Sequence, residues 1–163
     1  MGINSNLLVI LIVLDLEVSI IEIKIYPFNT LGDYFSADIM AIYNEKWIFC
    51  MHKERDTWEH PSGHIEPAET PLEAAKRELY EETGAVEFII EPLCDYYING
   101  IQNGWHFKGN GQVYFAIVHK IGDLPNYSEM GKIGLFDCLP EQLTYPILRE
   151  CFSIADRKWQ STK

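Results

Sequence analysis

Residues Gly63 to Ala85 read GHIEPAETPLEAAKRELYEETGA. Thr70 fits a helix N-cap, Pro71 the first helical position and Glu73 the third, which completes a capping box. Good helix formers follow as far as Gly84, where a glycine suits the residue after the last turn. The spacing predicts a helix over Pro71–Thr83, about 20 Å long. Leu72, Ala75 and Leu79 fall on one side and should face a sheet. Glu78, Glu81 and Glu82 fall on neighbouring surface at spacings of three and four. Like charges so placed repel by a few tenths of a kcal/mol per pair. Arg77 cannot neutralise all three. A solvated acidic face is the ordinary explanation of such a run. A hard divalent cation between the oxygens is the chemical one, because Mg²⁺ takes oxygen ligands, a few carboxylates and substrate phosphates among them.

The rest of the chain supplies strands. Val18–Ile25 is rich in Ile and partly alternating. Ala37–Tyr43 and Lys46–His52 flank Asn44-Glu45 and read as a hairpin. Val86–Ile90 and Cys94–Ile98 read as two strands around Glu91-Pro92. Asn99–Asn110, polar and glycine-bearing, reads as a loop. Gln112–Lys120 and Ile133–Asp137 complete the strands. A second helix is predicted over Tyr145–Trp159, with Ile147, Leu148, Cys151, Phe152, Ala155 and Trp159 as its apolar stripe. Strands, a helix, more strands and a terminal helix predict an α/β fold with a mixed sheet, not a doubly wound parallel one. The 163 residues fit one domain over 1–163, with residues 1–17 as an N-terminal strand or extension.

Read from Gly63, the quoted stretch resembles the Nudix box, G-x5-E-x7-R-E-U-x-E-E-x-G-U, where U is apolar. Gly63, Glu69, Arg77, Glu78, Leu79, Glu81, Glu82, Gly84 and Ala85 stand at its positions. Seven of these are fixed identities, a coincidence on the order of 10⁻⁸ per window at average residue usage. The resemblance implies a Nudix-type α/β/α sandwich with a loop-helix-loop catalytic motif. It implies hydrolysis of a diphosphate linkage in a nucleoside diphosphate derivative, with Mg²⁺ or Mn²⁺ as cofactor. By position, Glu78, Glu81 and Glu82 would ligate metal, Glu78 would also act as or orient the base, and the Ser62 carbonyl would be a further ligand. Arg77 would hold carboxylate orientation with Glu69. Helix N-terminal stabilisation is an equal reading of Glu69. The general look is closest to MutT-type nucleoside-triphosphate pyrophosphohydrolases, including those acting on oxidised dGTP or on RNA 5′ ends. An ADP-sugar pyrophosphatase and a non-catalytic nucleotide sensor are the alternatives.

Two positions depart from the family pattern. Relatives often carry glycine where Ser62 and Ala68 stand, and a positive φ at either would strain the loop. An acid outside the box is common too, and Glu129 is the nearest here. Phe28, Tyr34, Tyr97, Trp105 and Phe107 are candidates to stack on a base, although aromatics at strand spacing more often belong to the core. His60 and His64, parted by Pro61-Ser62-Gly63, are expected at a pocket edge or surface and not as metal ligands.

The charge balance bears on partners. Twenty-four Asp plus Glu against 13 Lys plus Arg give a net charge of -11. That excludes a basic nucleic-acid groove and disfavours an anionic membrane surface. A small-molecule nucleotide is the expected partner, and an RNA 5′ end remains open if cations grip its phosphates. Cys50, Cys94, Cys138 and Cys151 form no C-x-x-C pair and are expected as free thiols in a cytoplasmic protein. The apolar run Leu7–Leu14 is too short to span a bilayer and reads as a strand. The first Lys is Lys24, so no secretory signal is expected. The family resemblance leaves a homodimer open.

Overall fold

The computed structural model describes residues 7–14, 17–102, 105–145 and 147–163. Its elements are β1 (Leu7–Leu14), β2 (Glu17–Tyr26), β3 (Tyr34–Tyr43), β4 (Lys46–His52), β5 (Ser62–His64), α1 (Pro71–Thr83), β6 (Ala85–Gln102), β7 (Trp105–Ile121), β8 (Met130–Phe136) and α2 (Leu148–Gln160). Eight strands form one sheet in the order β1-β2-β6-β7-β3-β4-β8, with β5 paired to β3. The β3–β7 pairing is parallel and the others are antiparallel, so the sheet is mixed.

Alternation along the central strands sends side chains to two cores. On β3, Ala37, Ile39 and Ala41 pack with Ala74, Ala75 and Leu79 of α1. Met40 and Ile42 point the other way and pack with Cys151 and Ala155 of α2, together with Trp47 and Phe49 of β4. The helices thus cover opposite faces, which makes the predicted α/β/α sandwich. Among the described residues, no helix is long and apolar enough to cross a membrane.

Several elements differ from expectation, each for a local reason. Val86–Ile90 and Cys94–Ile98 belong to one 18-residue strand, β6, interrupted by a register shift between Pro92 and Cys94. Pro92 is tolerated because, among the described residues, β2 pairs with Asp95–Gly100, so beside Pro92 the strand has β7 on one side and no described ladder on the other. The described residues of Asn99–Asn110 are strand and not loop. Among them β6 runs on to Gln102 and β7 starts at Trp105, pairing Asn99 with Lys108 and Gly100 with Phe107. α2 begins at Leu148, three residues later than expected. Residue 146 is proline, and the residue before a proline disfavours helical geometry. On α1, Ala74 joins Ala75 and Leu79 in the core, while Leu72 is exposed.

Candidate active site

The caps of α1 fix where its acidic face lies. Thr70 Oγ1 accepts from the Glu73 N–H at 3.3 Å, and the Glu73 carboxylate accepts from the Thr70 N–H at 2.8 Å. Gly84 closes the helix at φ 73° and donates its N–H to Tyr80 O at 2.8 Å. Gly63 shows why a side chain is excluded at the start of the motif. A Cβ there would overlap the Glu78 carboxylate, which lies against the Gly63 backbone. Ser62 is not among the positive-φ residues, but Ala68 is, at φ 68°. The loop before α1 therefore carries the strain anticipated at one of the two departures and not at the other.

Arg77 is the hub of the acidic face. Its Nε donates to Glu69 Oε1 at 2.8 Å and its Nη2 to Glu69 Oε2 at 2.9 Å and to His64 O at 3.0 Å. Its Nη1 donates to Glu78 Oε1 at 2.5 Å and reaches Glu81 Oε2 at 3.3 Å. Glu69 also accepts from the Glu66 N–H, at 3.0 Å. Both Glu69 oxygens thus accept from Arg77. The Arg77 hydrogen bond holds its carboxyl below the usual range.

Glu78 and Glu82 differ sharply from Glu69. Burial pushes Glu78 up, despite Arg77. Burial pushes Glu82 up to about 8, and the Ser62 N–H at 2.9 Å offsets only part of that. The Cys50 thiol lies 3.7 Å from Glu82 Oε2 and 3.3 Å from Glu59 O. Glu59 is itself buried, held by Arg55 Nη1 at 2.8 Å. Glu59, Glu78 and Glu82 line one cavity of about 630 Å³, with Ser62, Gly63, Arg77 and Arg55 beside them. Glu78 and Glu82 thus share a recess with too few donors to offset their burial.

Residues 34–124, more than half of the chain, match the family model described as NUDIX domain. The chain belongs to the Nudix family. It is 32% identical over 111 residues to a putative 8-oxo-dGTP diphosphatase, YtkD, of Bacillus subtilis (strain 168), across 65% of this chain and 64% of that protein. It is 37% identical over 80 residues to an RNA pyrophosphohydrolase of Bartonella henselae, across 42% of this chain and 46% of the relative. The matched stretch thus spans less than two thirds of either relative's length. A crystal structure of a Bacillus subtilis pyrophosphohydrolase superposes with a TM-score of 0.73 at 24% identity, covering 87% of this chain and 92% of that one. That likeness shows the shared fold.

Within this Nudix chain, Glu78, Glu82, Ser62, Gly63 and Arg77 come together at the cavity. Glu81 is placed differently from Glu78 and Glu82: it is not among the lining residues, and Arg77 reaches it from the side. Glu129 does line the cavity, at its exposed rim, with its carboxylate 3.6 Å from His52 Nε2. Phe107 lines it as well. Phe28 instead meets Tyr114 edge-on at 5.4 Å, Tyr34 hydrogen-bonds Asp95 at 2.7 Å, and Tyr97 lies under Lys24. The Trp105 side chain falls outside the described residues. His64 is at the cavity edge as expected, but His60 is not at the surface. It is 1% exposed and bonded to Asp38.

Asp38, Glu59, Arg55 and Tyr96 also line the cavity, and sequence reasoning passed over all four. Two signals were present. Asp38 is a lone acid inside an apolar strand, and Glu59-His60 sits between a tryptophan and a proline in an extended stretch.

The donor set suits a hard divalent cation, because it is made of carboxylate oxygens whose burial disfavours their charge. Among the described residues, no three His, Cys, Asp or Glu side chains converge closely enough to hold a metal by themselves. An ion such as Mg²⁺ held here would draw the rest of its shell from water and substrate phosphates.

Proposed function

We propose that the chain is a divalent-metal-dependent pyrophosphohydrolase that cleaves a diphosphate linkage in a nucleoside diphosphate derivative, with a nucleoside triphosphate as the leading substrate class. One observation carries the reading: Glu59, Glu78 and Glu82 line a single cavity beside two arginines, with burial raising Glu78 and Glu82. Mg²⁺ or Mn²⁺ would be held by Glu78 and Glu82, with the Ser62 carbonyl and Glu81 as further ligands. A bound cation supplies the positive charge that lets a polyphosphate approach these acids. Arg77, anchored by both oxygens of Glu69, orients Glu78, which holds or positions the attacking water. Arg55, 41% exposed and anchored on Glu59, brings a guanidinium to the cavity for phosphate oxygens. Phosphoryl transfer asks little more of a protein than such placement and charge.

The relatives' names, an 8-oxo-dGTP diphosphatase and an RNA pyrophosphohydrolase, put oxidised dGTP and triphosphorylated RNA 5′ ends at the head of the substrate panel. At a net charge of -11, an RNA would be gripped at its 5′ phosphates and not along a groove. We place the protein in the cytoplasm, since its four cysteines are free and three of them are buried.

The test is turnover with Mg²⁺ on nucleoside and deoxynucleoside triphosphates, oxidised dGTP, ADP-ribose, dinucleoside polyphosphates and triphosphorylated RNA. Release of pyrophosphate or phosphate from a triphosphate supports the proposal. Turnover of ADP-ribose alone would make the chain an ADP-sugar pyrophosphatase. Tight nucleotide binding without any turnover would make it a sensor.

A further inference from the structure

The sheet has two edges, and they are made differently. β8, at one end, pairs with β4 and carries Lys132 between Gly131 and Gly134. Its pairing with β4 is interrupted by a register shift between Met51 and His52. A lysine and a broken ladder are common means of keeping an edge strand from pairing with another chain. β1, at the other end, has neither. Leu7–Leu14 contains no charge, proline or glycine, and it pairs with β2 residue for residue without a shift.

The pattern of β1 also runs against its position. A strand at the margin of a sheet should turn polar on any face that the helices leave open. β2 does so. Its Ile21 and Ile23 are buried in the core that α2 covers, while Glu22 and Lys24 fall on the opposite face and form an ion pair at 2.8 Å. β1 lies one strand further out. Its partners for Ile21 and Ile23 are Ile10 and Leu8, and its partners for Glu22 and Lys24 are Val9 and Leu7. Both alternate sets of the run are therefore apolar, which is the pattern of a strand with neighbours on both sides. Yet α1 packs on β3 to β8 and α2 on β3 and β6, so the main packing of both helices falls inward of β1. Among the described residues, β2 alone pairs with β1.

The edge itself says which partner fits. An antiparallel copy of the same run matches it in length and character. A two-fold axis perpendicular to the sheet brings the two runs together with like faces on like sides. The net charge of -11 sets copies of the chain against one another, and this uncharged run is a place where they can meet without opposing charge to charge.

We propose that β1 is a dimerisation edge: two copies of the chain pair their Leu7–Leu14 strands antiparallel across a two-fold axis and continue one sheet through both. Each β1 then has a ladder on both sides, and apolar cross-strand pairs form on both faces. Because β8 is blunted, the contact uses the open edge of each copy and the assembly closes at two. This contact is independent of the chemistry in the cavity.

Sedimentation equilibrium of the full chain is the test. The mass should move from one chain to two as concentration rises, and stop there. Added NaCl should tighten the dimer, since it screens the like charge of the copies and the edge holds no ion pair to weaken. Ile10→Lys and Leu11→Lys place a charge at the middle of the run, one in each alternate set. Each should weaken dimerisation about 10-fold or more with circular dichroism unchanged. Hydrogen exchange of wild type gives a second reading that stands even if the lysine variants fail to fold. Amide protection of Leu7–Leu14 should rise as the dimer forms, while that of Met130–Phe136 should not. A dimer that both lysine variants leave intact, a mass that grows past two chains, or dimer formation without added protection of β1 would each overturn the proposal. A chain that stays monomeric at every concentration and salt would also overturn it, and would leave the edge to a strand of another protein.

Discussion

Two sites of buried carboxylates, one on the sheet and one on α1 against it, are built in opposite ways. Asp95, on β6, is fully buried. It accepts from the backbone N–H groups of Thr30 and Leu31 at 2.9 Å each and of Asn29 at 3.3 Å, with Gln112 Nε2 at 3.2 Å and Tyr34 Oη at 2.7 Å. Its two oxygens thus close the turn after β2 with five donors. Glu82 receives one backbone N–H and lies near one thiol, and burial drives it to about 8. A carboxylate that brings its own donors is architecture. One buried without them is stable in its charged form only when a cation arrives.

The largest test of the contrast is Glu82→Gln against Asp95→Asn. Glu82→Gln should lower kcat by about 10³-fold or more with circular dichroism unchanged, in the range seen when a charge-stabilising group is removed. Asp95→Asn should leave kcat per folded molecule within a few-fold. Reversed outcomes would exchange the roles of the two groups. Asp95→Ala, which orphans three backbone N–H groups, should cost about 3 kcal/mol in denaturant unfolding. A loss below about 1 kcal/mol would show that the turn after β2 does not depend on it.

The next effect is on stability against pH. In the metal-free protein the unfolded Glu82 loses its proton near the ordinary carboxylate value of 4.5, while the folded one keeps it to about 8. Between those values the unfolded Glu82 binds fewer protons, so its contribution to stability is greatest below about pH 4.5 and falls as pH rises towards 8. The expected drop in Tm between pH 5 and 8 is roughly 5 °C, and Glu82→Gln should remove most of it. A Tm that rises across that window in both proteins would contradict the burial of Glu82.

The smallest effect concerns Ala68. Its φ of 68° suits glycine, so Ala68→Gly should stabilise the protein by about 1 kcal/mol or less. A destabilisation would mean that the Ala68 methyl group has contacts that outweigh the backbone strain.

The two carboxylate groups were unequally visible in the amino-acid sequence, and the reason is physical. Glu78, Glu81 and Glu82 stand within five residues on one helix, where capping chemistry and helical periodicity place them on neighbouring surface. Their Arg77–Glu69 brace is local as well. Asp95 meets donors 61 to 66 residues away in the turn after β2, and its fifth donor, Gln112, is 17 away on β7. Asp38 meets His60 22 residues on and Tyr96 58 residues on. Such pairings follow from strand order and register, which no local pattern encodes. The same limit hid the continuity of β6 through Pro92, which depends on where β2 stops pairing. It also hid the strand pairing within Asn99–Asn110, where polar residues and glycines look like a loop until two long strands align them. The Asn44-Glu45 turn was legible because two strand-like runs flank it, and both residues take the positive φ of a type I′ turn, 49° and 60°.

The most direct test of the difference between the two groups is thermal unfolding of wild type, Glu82→Gln and Asp95→Asn during titration with Mg²⁺ at pH 8. If the Glu78–Glu82 recess is a cation site, saturating Mg²⁺ raises Tm in wild type and in Asp95→Asn by an amount that grows with the logarithm of Mg²⁺ concentration. Glu82→Gln then shows little or no rise. An equal rise in all three proteins, or none in wild type, would contradict the account.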